Sequence, residues 1–338
     1  MSDDLTTVAT RYQQTFQMDG LAIEPGLAGA QHAFQFEDQR IVITLPPLPA
    51  DDAPPIFAQQ NPFLLTAQIY EWDSSKRPLA VEVGSIRLTI ENLRFTIPSA
   101  AAAHPVINDT LFDEEQRRDL EERSDALHFL AGRAIAYWLR VIWWKTGSHM
   151  IKRLPSVARG GSFDAGALIN TRSNTRFYAP RIGDVVVFPS LRILRTAQWS
   201  EIDEALSAGR EPPVWHDYIA SAHQRMEAGD RLGAMLDLAV AVEARIRTAL
   251  DAKLPSSTAK GIRRAINRQN MSDLFRHWQD YELPNFPNLA CLKTLVEIRN
   301  EIMHNGTAKR GDAAFFKTTA KAVVQLIESF EEDSSRVA

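Results

Sequence analysis

Residues 292–306 have the sequence LKTLVEIRNEIMHNG, and this stretch decides how the C-terminal part of the chain folds. Its apolar residues recur with the period of a helix that packs one face on a core. These residues are Leu292, Leu295, Val296, Ile298, Ile302 and Met303. Asn305-Gly306 then ends the helix, because glycine adopts the left-handed capping conformation without a Cβ penalty. We therefore expect a helix over 289–304.

Three residues whose side chains can take part in binding or catalysis, Arg299, Asn300 and His304, occupy the last turns of this predicted helix. A charge on a helix that packs on a core is costly unless it has a purpose. Asn300 and His304 are four residues apart and share a face, whereas Arg299 points well round the helix from His304. One copy of the helix does not bring Arg299 and His304 together unless its end unwinds. Two copies that face each other across a dyad can.

The size and composition of the chain indicate a soluble protein of about two domains. It has 338 residues, of which 45% are hydrophobic and 24% are charged, and its net charge is −4. This balance argues against a protein that coats polyanions generally, although a local basic patch can still hold nucleic acid. The single cysteine, Cys291, excludes an internal disulfide and a Cys-based zinc site, and it fits a reducing cytoplasm.

Neither a secretion signal nor a membrane span is expected. The start of the chain, MSDD, is acidic and lacks the apolar core of a signal peptide. The most apolar run, 126–144, contains His128, Arg133 and Arg140, and charges at the centre of a bilayer are expensive. We interpret the run as part of an amphipathic core helix, and we expect a cytoplasmic location.

The patterns predict an α+β protein with a β-rich domain over 1–196 and a helical bundle over 197–338. Alternation and β-branched residues predict strands over 31–36, 40–45, 63–70, 85–97 and 184–188. One long helix is predicted over 113–145, opening with acidic residues that suit the helix dipole. After about residue 196 the strand patterns stop. Helical periods then cover 199–208, 214–228, 231–254, 257–269, 271–280, 289–304 and 313–331.

The sequence contains no motif for a metal site or for a phosphate-binding loop. No two histidines have the spacing of a helical zinc motif, and there is no cysteine pair. The glycine-containing stretch 158–162, ARGGS, lacks the Gly-Lys-Ser/Thr ending of a P-loop, and no dinucleotide-binding fingerprint is present. We therefore expect neither a metal nor a cofactor, and the constellation Arg299, Asn300 and His304 remains.

These three residues resemble the R-x4-H signature of the HEPN family (higher eukaryotes and prokaryotes nucleotide-binding), including the preferred polar residue after the Arg. The segment 228–243, AGDRLGAMLDLAVAVE, is similar to the Ala-rich early helix of the family, which ends in a Glu. The resemblance covers roughly 197–333. It implies a helical bundle that dimerises and, in catalytic members, cleaves RNA without a metal, as in prokaryotic defence and toxin proteins.

The resemblance implies a catalytic role for Arg299, Asn300 and His304. Attack by the RNA 2′-hydroxyl needs a base, an acid for the leaving oxygen and positive charge on the phosphate. Two His304 side chains across a homodimer would share the proton transfers, Arg299 would hold the phosphate, and Asn300 would orient the imidazole or a phosphate oxygen. The products would carry 2′,3′-cyclic phosphate ends.

Two further sets of residues have alternative readings. Glu243 either fixes the rotamer of Arg299 or forms an ordinary pair with Arg247 at i+4. Five basic residues either track the RNA backbone or form a solvated helix face. These five are Lys260, Arg263, Arg264, Arg268 and Arg276.

One departure from the family concerns the position two residues after His304. The subgroup that pairs with a nucleotidyltransferase has a Tyr there, and this chain has Gly306. The departure favours a stand-alone ribonuclease that its own first domain controls in response to an unknown trigger. The alternatives are a non-catalytic module for dimerisation or nucleotide binding that serves the first domain, and a subunit of a larger complex.

Overall fold

The computed structural model describes residues 5–49, 65, 67–72, 77–103, 111–148, 151–153, 166–174, 176–178, 192–227, 229–255, 257–283, 286–308 and 313–337. The N-terminal part is β-rich and the C-terminal part is helical, which confirms the predicted α+β class. Contacts divide the chain into two compact units, Met1–Glu211 and Pro212–Ala338.

The strands of the first unit form two sheets. In chain order they are β1 Leu5–Asp19, β2 Leu21–Ile23, β3 Gln31–Phe36, β4 Gln39–Thr44, β5 Ala67–Trp72, β6 Pro78–Val83, β7 Ser85–Pro98, β8 Lys152–Arg153, β9 Gly166–Asn170, β10 Arg176–Tyr178 and β11 Arg192–Leu194. The larger sheet has the order β10-β9-β1-β7-β4-β3, and β8 also pairs with β1. The smaller sheet has the order β11-β2-β6-β5, in which only β11 and β2 are parallel.

One pair of strands continues from the larger sheet into the smaller one. β1 is followed after Gly20 by β2, and β6 is followed after Gly84 by β7. Gly20 has a positive φ of 75°, a conformation that glycine adopts at little cost, so the chain turns there. The turn is held by the Met18 N–H, which donates to the Gly84 carbonyl at 3.0 Å.

A long helix, α2, follows a short helix, α1 (Ser99–Ala103), and spans Glu114–Thr146, as the sequence predicted. Asp113 caps it by accepting from the Gln116 N–H at 2.8 Å, and the Gln116 side chain returns the bond to the Asp113 N–H. α2 lies on the larger sheet and contacts β1, β7 and β9. Its apolar run is therefore a core face, with Trp138 fully buried.

The next helix, α3, spans Thr196–Ser207 and belongs to the first unit. Its buried residues Trp199 and Ile202 join the core that α2 and the sheet form. The division between the units, at Glu211 and Pro212, therefore lies further along the chain than the boundary that the sequence predicted at 196/197. The strand signal ends where α3 begins, but the packing continues to the end of that helix.

Most of the predicted strands are found, and several strands were missed. The predictions for 31–36, 40–45 and 85–97 are confirmed as β3, β4 and β7, and β5 covers part of 63–70. The predicted strand over 184–188 lies outside the described residues. The sequence reasoning missed β1, which lies at the centre of the larger sheet, and also β2, β6 and the short strands after α2.

The second unit is built from the helices that the sequence predicted. They are α4 Val214–Glu227, α5 Arg231–Lys253, α6 Lys260–Arg268, α7 Met271–Arg276, α8 Leu289–Asn305 and α9 Ala313–Val337. α5 packs against α4, α8 and α9, and α7 contacts α8. The core of this unit contains Leu238, Val242, Leu295, Ile298 and Val323. α5 is thus the central element against which the candidate site helix, α8, is fixed.

Candidate active site at the end of helix α8

Helix α8 remains regular to its end. It spans Leu289–Asn305 and is capped by Gly306, which has a positive φ of 68°. The Gly306 N–H donates to the Ile302 carbonyl at 2.8 Å. The predicted helix and its glycine cap are confirmed. Because the helix does not unwind before Asn305, Arg299 and His304 lie about 140° apart around its axis.

One side of α8 is buried and the other is open at the C-terminal end. Leu295, Ile298 and Ile302 are buried in the core of the second unit. Met303, which the sequence placed in the buried apolar stripe, is instead 62% exposed. Arg299 and Asn300 are half-buried, and His304 is exposed. The helix end is thus not enclosed, and its polar side chains reach the surface.

The four residues Arg299, Asn300, Met303 and His304 form one patch, which we call the α8 patch. Arg299 and Met303 share one helical stripe, and Asn300 and His304 share the next, because residues four apart lie on one face. The two stripes are joined by a hydrogen bond in which Arg299 Nη1 donates to Asn300 Oδ1 at 3.0 Å. Asn300 therefore links the guanidinium to the face that carries the imidazole.

The α8 patch combines the groups that phosphodiester chemistry requires. An exposed imidazole can exchange protons with a bound substrate, and a guanidinium can hold a phosphate with two parallel hydrogen bonds. The bond to Asn300 restricts the Arg299 side chain, which lowers the entropy cost of presenting it to a ligand. In one chain the two groups point in different directions, so a single patch does not enclose a phosphate.

Glu243 lies on α5 and pairs with Arg247. Arg247 Nε and Nη2 donate to Glu243 Oε1 at 2.9 and 2.7 Å, and Arg247 Nη2 also donates to the Gln269 carbonyl at 2.7 Å. The reading in which Glu243 fixes the rotamer of Arg299 is therefore replaced by its alternative, the i,i+4 pair. Glu243 orients an arginine that ties α5 to the end of α6.

The five predicted RNA-binding residues differ in their surroundings. Lys260, Arg264 and Arg268 are exposed and four residues apart, so they form one stripe along α6. Arg263 has a structural contact instead. Its guanidinium pairs with Asp251 at 2.6 Å and donates to the carbonyls of Leu254 and Pro255 at 3.1 and 2.8 Å. Arg263 thus stabilises the C-terminal end of α5, which is a structural role and not the predicted RNA-binding role.

The fifth residue, Arg276, is 70% exposed and pairs with Asp273 at 2.9 Å. Its charge is therefore partly compensated within its own helix, α7. Trp278, which follows α7, is buried and stacks on Phe275 with ring centroids 5.6 Å apart. Lys260, Arg264 and Arg268 on α6 are therefore the less compensated basic residues of the predicted set, and Trp278 is too buried to stack a base.

Cys291 lies at the start of α8 and is partly buried against the helical core. Its Sγ lies 3.4 Å from the Thr319 hydroxyl of α9, so this thiol packs within the helical unit. Among the described residues, no group of three or more His, Cys, Asp or Glu side chains is arranged to hold a metal ion. Within the same ranges, no helix is long and apolar enough to cross a membrane.

Comparison with known proteins adds no relative. No protein-family model matches the chain, and no curated protein or solved structure is detectably similar to it.

Proposed function

We propose that the helical unit is a metal-independent endoribonuclease whose active site is the α8 patch. The observation that carries the proposal is the placement of Arg299, Asn300 and His304 on the open end of one helix, beside an exposed Met303. This is a combination of phosphate binder and proton-transfer group that needs no bound ion. The resemblance of RNEIMH at 299–304 to the HEPN signature supports the same chemistry.

Each residue has a defined role in the proposed reaction. His304 of one chain removes the proton from the RNA 2′-hydroxyl, and the 2′-oxygen then attacks the adjacent phosphorus. Arg299 stabilises the charge that develops on the phosphate oxygens, and Asn300 holds Arg299 in place. The 5′-oxygen leaves with a proton from the second His304. The products carry a 2′,3′-cyclic phosphate and a 5′-hydroxyl.

Two chains are needed because one helix separates the required groups. Arg299 and His304 of a single α8 diverge by about 140°. A second α8 that ends beside the first would place its own imidazole opposite and enclose a phosphate between the two patches. Met303 would supply apolar contact between the copies. We therefore expect the active form to be a homodimer through the helical unit.

The α6 stripe of Lys260, Arg264 and Arg268 is the proposed path for the RNA backbone. These three side chains are exposed on one face of α6 and match the spacing of a charged strip along a helix. Binding through phosphate contacts releases counterions, so affinity would fall as salt is added. The chain carries a net charge of −4, so the attraction for RNA must be local.

A cleavage assay in EDTA tests the proposal. Purified full-length protein is incubated with total RNA, and wild type is compared with the Arg299→Ala, Asn300→Ala and His304→Ala variants. We expect cleavage by the wild type and loss of at least about a hundredfold in rate for His304→Ala, since general acid–base groups contribute about 10²–10⁴. The cleaved ends should resist phosphatase until the cyclic phosphate is opened with acid.

A matched control separates loss of chemistry from loss of folding. Lys321 is an exposed cation on α9, outside the α8 patch, so Lys321→Ala should cleave like the wild type. If His304→Ala kept the full rate, or if only added divalent metal restored cleavage, the proposed chemistry would be wrong.

A second candidate function is a non-catalytic dimerisation module that serves the first unit. The 62% exposure of Met303 favours it, because an apolar side chain at the open end of α8 suits an interface between copies whether or not RNA is cut. A dimer in solution that leaves RNA intact under all the conditions above would support this alternative.

A further inference from the structure

The first unit contains a polar cavity of about 220 Å³ on one face of its larger sheet. β1 contributes Arg11, Gln13 and Thr15, which alternate along the strand and so point to the same face. The remaining lining residues are Arg87 of β7, Ala167 and Ile169 of β9, and Asn174 in the turn after β9. We call this the β1 cavity. It lies on the central strand of the sheet, where the position of each side chain is fixed from both sides.

Strand register brings the lining residues together. Gln13 is paired with Thr89 on one neighbouring strand and with Ala167 on the other, and Thr15 is paired with Arg87. Directly opposed residues in antiparallel strands share a face and lie close to each other. The small side chain of Ala167 opposite Gln13 leaves the space that the cavity occupies.

A bulge opens the sheet beside Arg11. Thr10 pairs with Leu93 and Tyr12 pairs with Ile90, so β7 has one more residue than β1 in this interval. Asn92 in the bulge has a positive φ of 62°. A bulge re-aims side chains next to it and is frequent beside binding sites. Arg11 consequently has no directly opposed partner on β7.

The β1 cavity is rich in hydrogen-bond donors. Two guanidinium groups, of Arg11 and Arg87, line it, and no carboxylate lies among its described lining residues. One nitrogen of Arg11, Nη2, donates to Asn174 Oδ1. Arg11 Nε is buried and has no hydrogen-bond partner among the described residues. A buried charged donor without a partner is costly, and an anion beside the same guanidinium would offset part of this cost through its charge.

We propose that the β1 cavity binds a phosphoryl group, either as inorganic phosphate or as the phosphate of a small sugar phosphomonoester. The two guanidinium groups match a phosphoryl group, which carries more than one negative charge near neutral pH. The Thr15 hydroxyl and the Gln13 amide add neutral donors to its remaining oxygens. This site is separate from the α8 patch and does not depend on ribonuclease activity.

The size of the cavity limits the rest of the ligand. A volume of about 220 Å³ is below the ~300–1,000 Å³ of pockets that hold drug-sized ligands. It corresponds to roughly seven water molecules at about 30 Å³ each. A phosphate group with a sugar fits this volume. The polar lining also disfavours a base or another large apolar group, which would have to bury its surface against arginine and glutamine.

Titration calorimetry on the full-length protein tests the proposal with three probes: inorganic phosphate, ribose 5-phosphate and succinate, at ionic strength matched with NaCl. We expect saturable binding of a phosphoryl probe and none of succinate. Tighter binding of ribose 5-phosphate than of phosphate would identify the ester as the ligand, and the reverse order would identify the free ion. Failure of both phosphoryl probes to bind below about 10 mM, or equal binding of succinate, would overturn the proposal.

Variants tie the binding to this cavity. Arg11→Gln should raise Kd at least about tenfold, because a hydrogen bond to a charged group is lost. Arg40→Gln is the matched control, since Arg40 is exposed on the same sheet, pairs with Glu91 at 3.0 Å and lies outside the cavity. If Arg11→Gln does not fold, Thr15→Val removes one hydroxyl at nearly constant volume and should also weaken binding. If whichever of these two variants folds bound the phosphoryl probe with wild-type affinity, the binding site would lie outside the β1 cavity.

The His304→Ala protein separates this proposal from the proposed nuclease. It should bind the phosphoryl probe as the wild type does, because all the described lining residues of the β1 cavity belong to the first unit. Loss of phosphoryl binding in His304→Ala would therefore overturn the assignment to the β1 cavity, whatever the RNA assay shows.

Discussion

At the residue scale, His32 is the buried polar group that ties the core of the first unit together. It is completely buried, and its Nδ1 accepts from Trp138 Nε1 at 3.0 Å. Nε2 lies 3.1 Å from the Trp199 carbonyl, and the imidazole stacks on the Trp199 ring with centroids 3.5 Å apart. Since Nδ1 accepts a bond, Nε2 carries the proton, and His32 is neutral. One side chain thus joins β3 to both α2 and α3.

This environment predicts acid sensitivity of the first unit. Burial lowers the pKa of His32 from 6.5 to about 4. Between these values the unfolded chain binds more protons than the folded chain, so the free energy of unfolding falls as the pH drops from 6.5 to 4. Neutral His32 therefore contributes about 3 kcal/mol to the free energy of unfolding above pH 6.5, and this contribution is lost as the pH falls to about 4. Urea unfolding followed by tryptophan fluorescence at several pH values measures it.

A substitution identifies the source of this pH dependence. His32→Gln should lower the free energy of unfolding at pH 7 and should also flatten its dependence on pH between 4 and 6.5. A variant with the same pH dependence as the wild type would show that other groups are responsible.

At the element scale, the C-terminal cap of α8 has a predictable cost. Gly306 has a φ of 68°, and a Cβ atom built there would meet nothing within 4 Å. The penalty for Gly306→Ala is therefore conformational, and we expect a loss of about 1 kcal/mol in the free energy of unfolding. Gly261 in α6 also has open space for a Cβ atom but has no positive φ. Gly261→Ala should therefore stabilise by about 0.4–1 kcal/mol. Urea unfolding of both variants checks the opposite signs.

The two neighbouring arginines of α6 should separate stability from RNA binding. Arg263 holds Asp251 and two carbonyls at the end of α5, so Arg263→Ala should lower the free energy of unfolding by about 1–3 kcal/mol. Arg264 is exposed on the α6 stripe, so Arg264→Ala should leave stability nearly unchanged and weaken RNA binding. Thermal unfolding and an RNA filter-binding assay measure the two effects. Equal losses of stability would contradict the different roles of these side chains.

Periodicity predicted the helical elements well because their signals are local. The predicted bounds of 113–145 and 289–304 agree with those of α2 and α8 to within a residue, and the glycine stop at Gly306 was predicted as well. The contacts between side chains were harder to predict from the sequence. Helical spacing places Arg247 one turn after Glu243 but gives no information about Arg299, which lies on a different helix, and the structure forms the pair with Arg247. The exposure of Met303 was missed for the same reason, because periodicity does not reveal where the covering helices stop.

At the scale of the whole molecule, the sheet of the first unit was the hardest feature to predict. β1 pairs with β7 and β9, which are distant in sequence, and periodicity carries no information about such pairing. The alternation of Tyr12 and Phe16 with polar residues was a usable signal for β1. The fully buried Gln14 interrupts that pattern. Because β1 was missed, Arg11, which lies on the face of β1 that lines the β1 cavity, was also missed as a candidate ligand-binding residue.

Assembly of two whole chains is the remaining requirement of the proposed nuclease. Met303 is 62% exposed beside the catalytic candidates, so a carboxylate there should repel its counterpart in a second copy. We expect wild type to be a dimer by light scattering, and Met303→Glu to be a folded monomer that no longer cleaves RNA. Phe129→Glu is the matched control, because Phe129 is 66% exposed on α2 of the first unit. It should remain a dimer. A monomeric Met303→Glu protein that cleaves at the wild-type rate would show that a single α8 suffices, and the division of proton transfers between two copies of His304 would have to be abandoned.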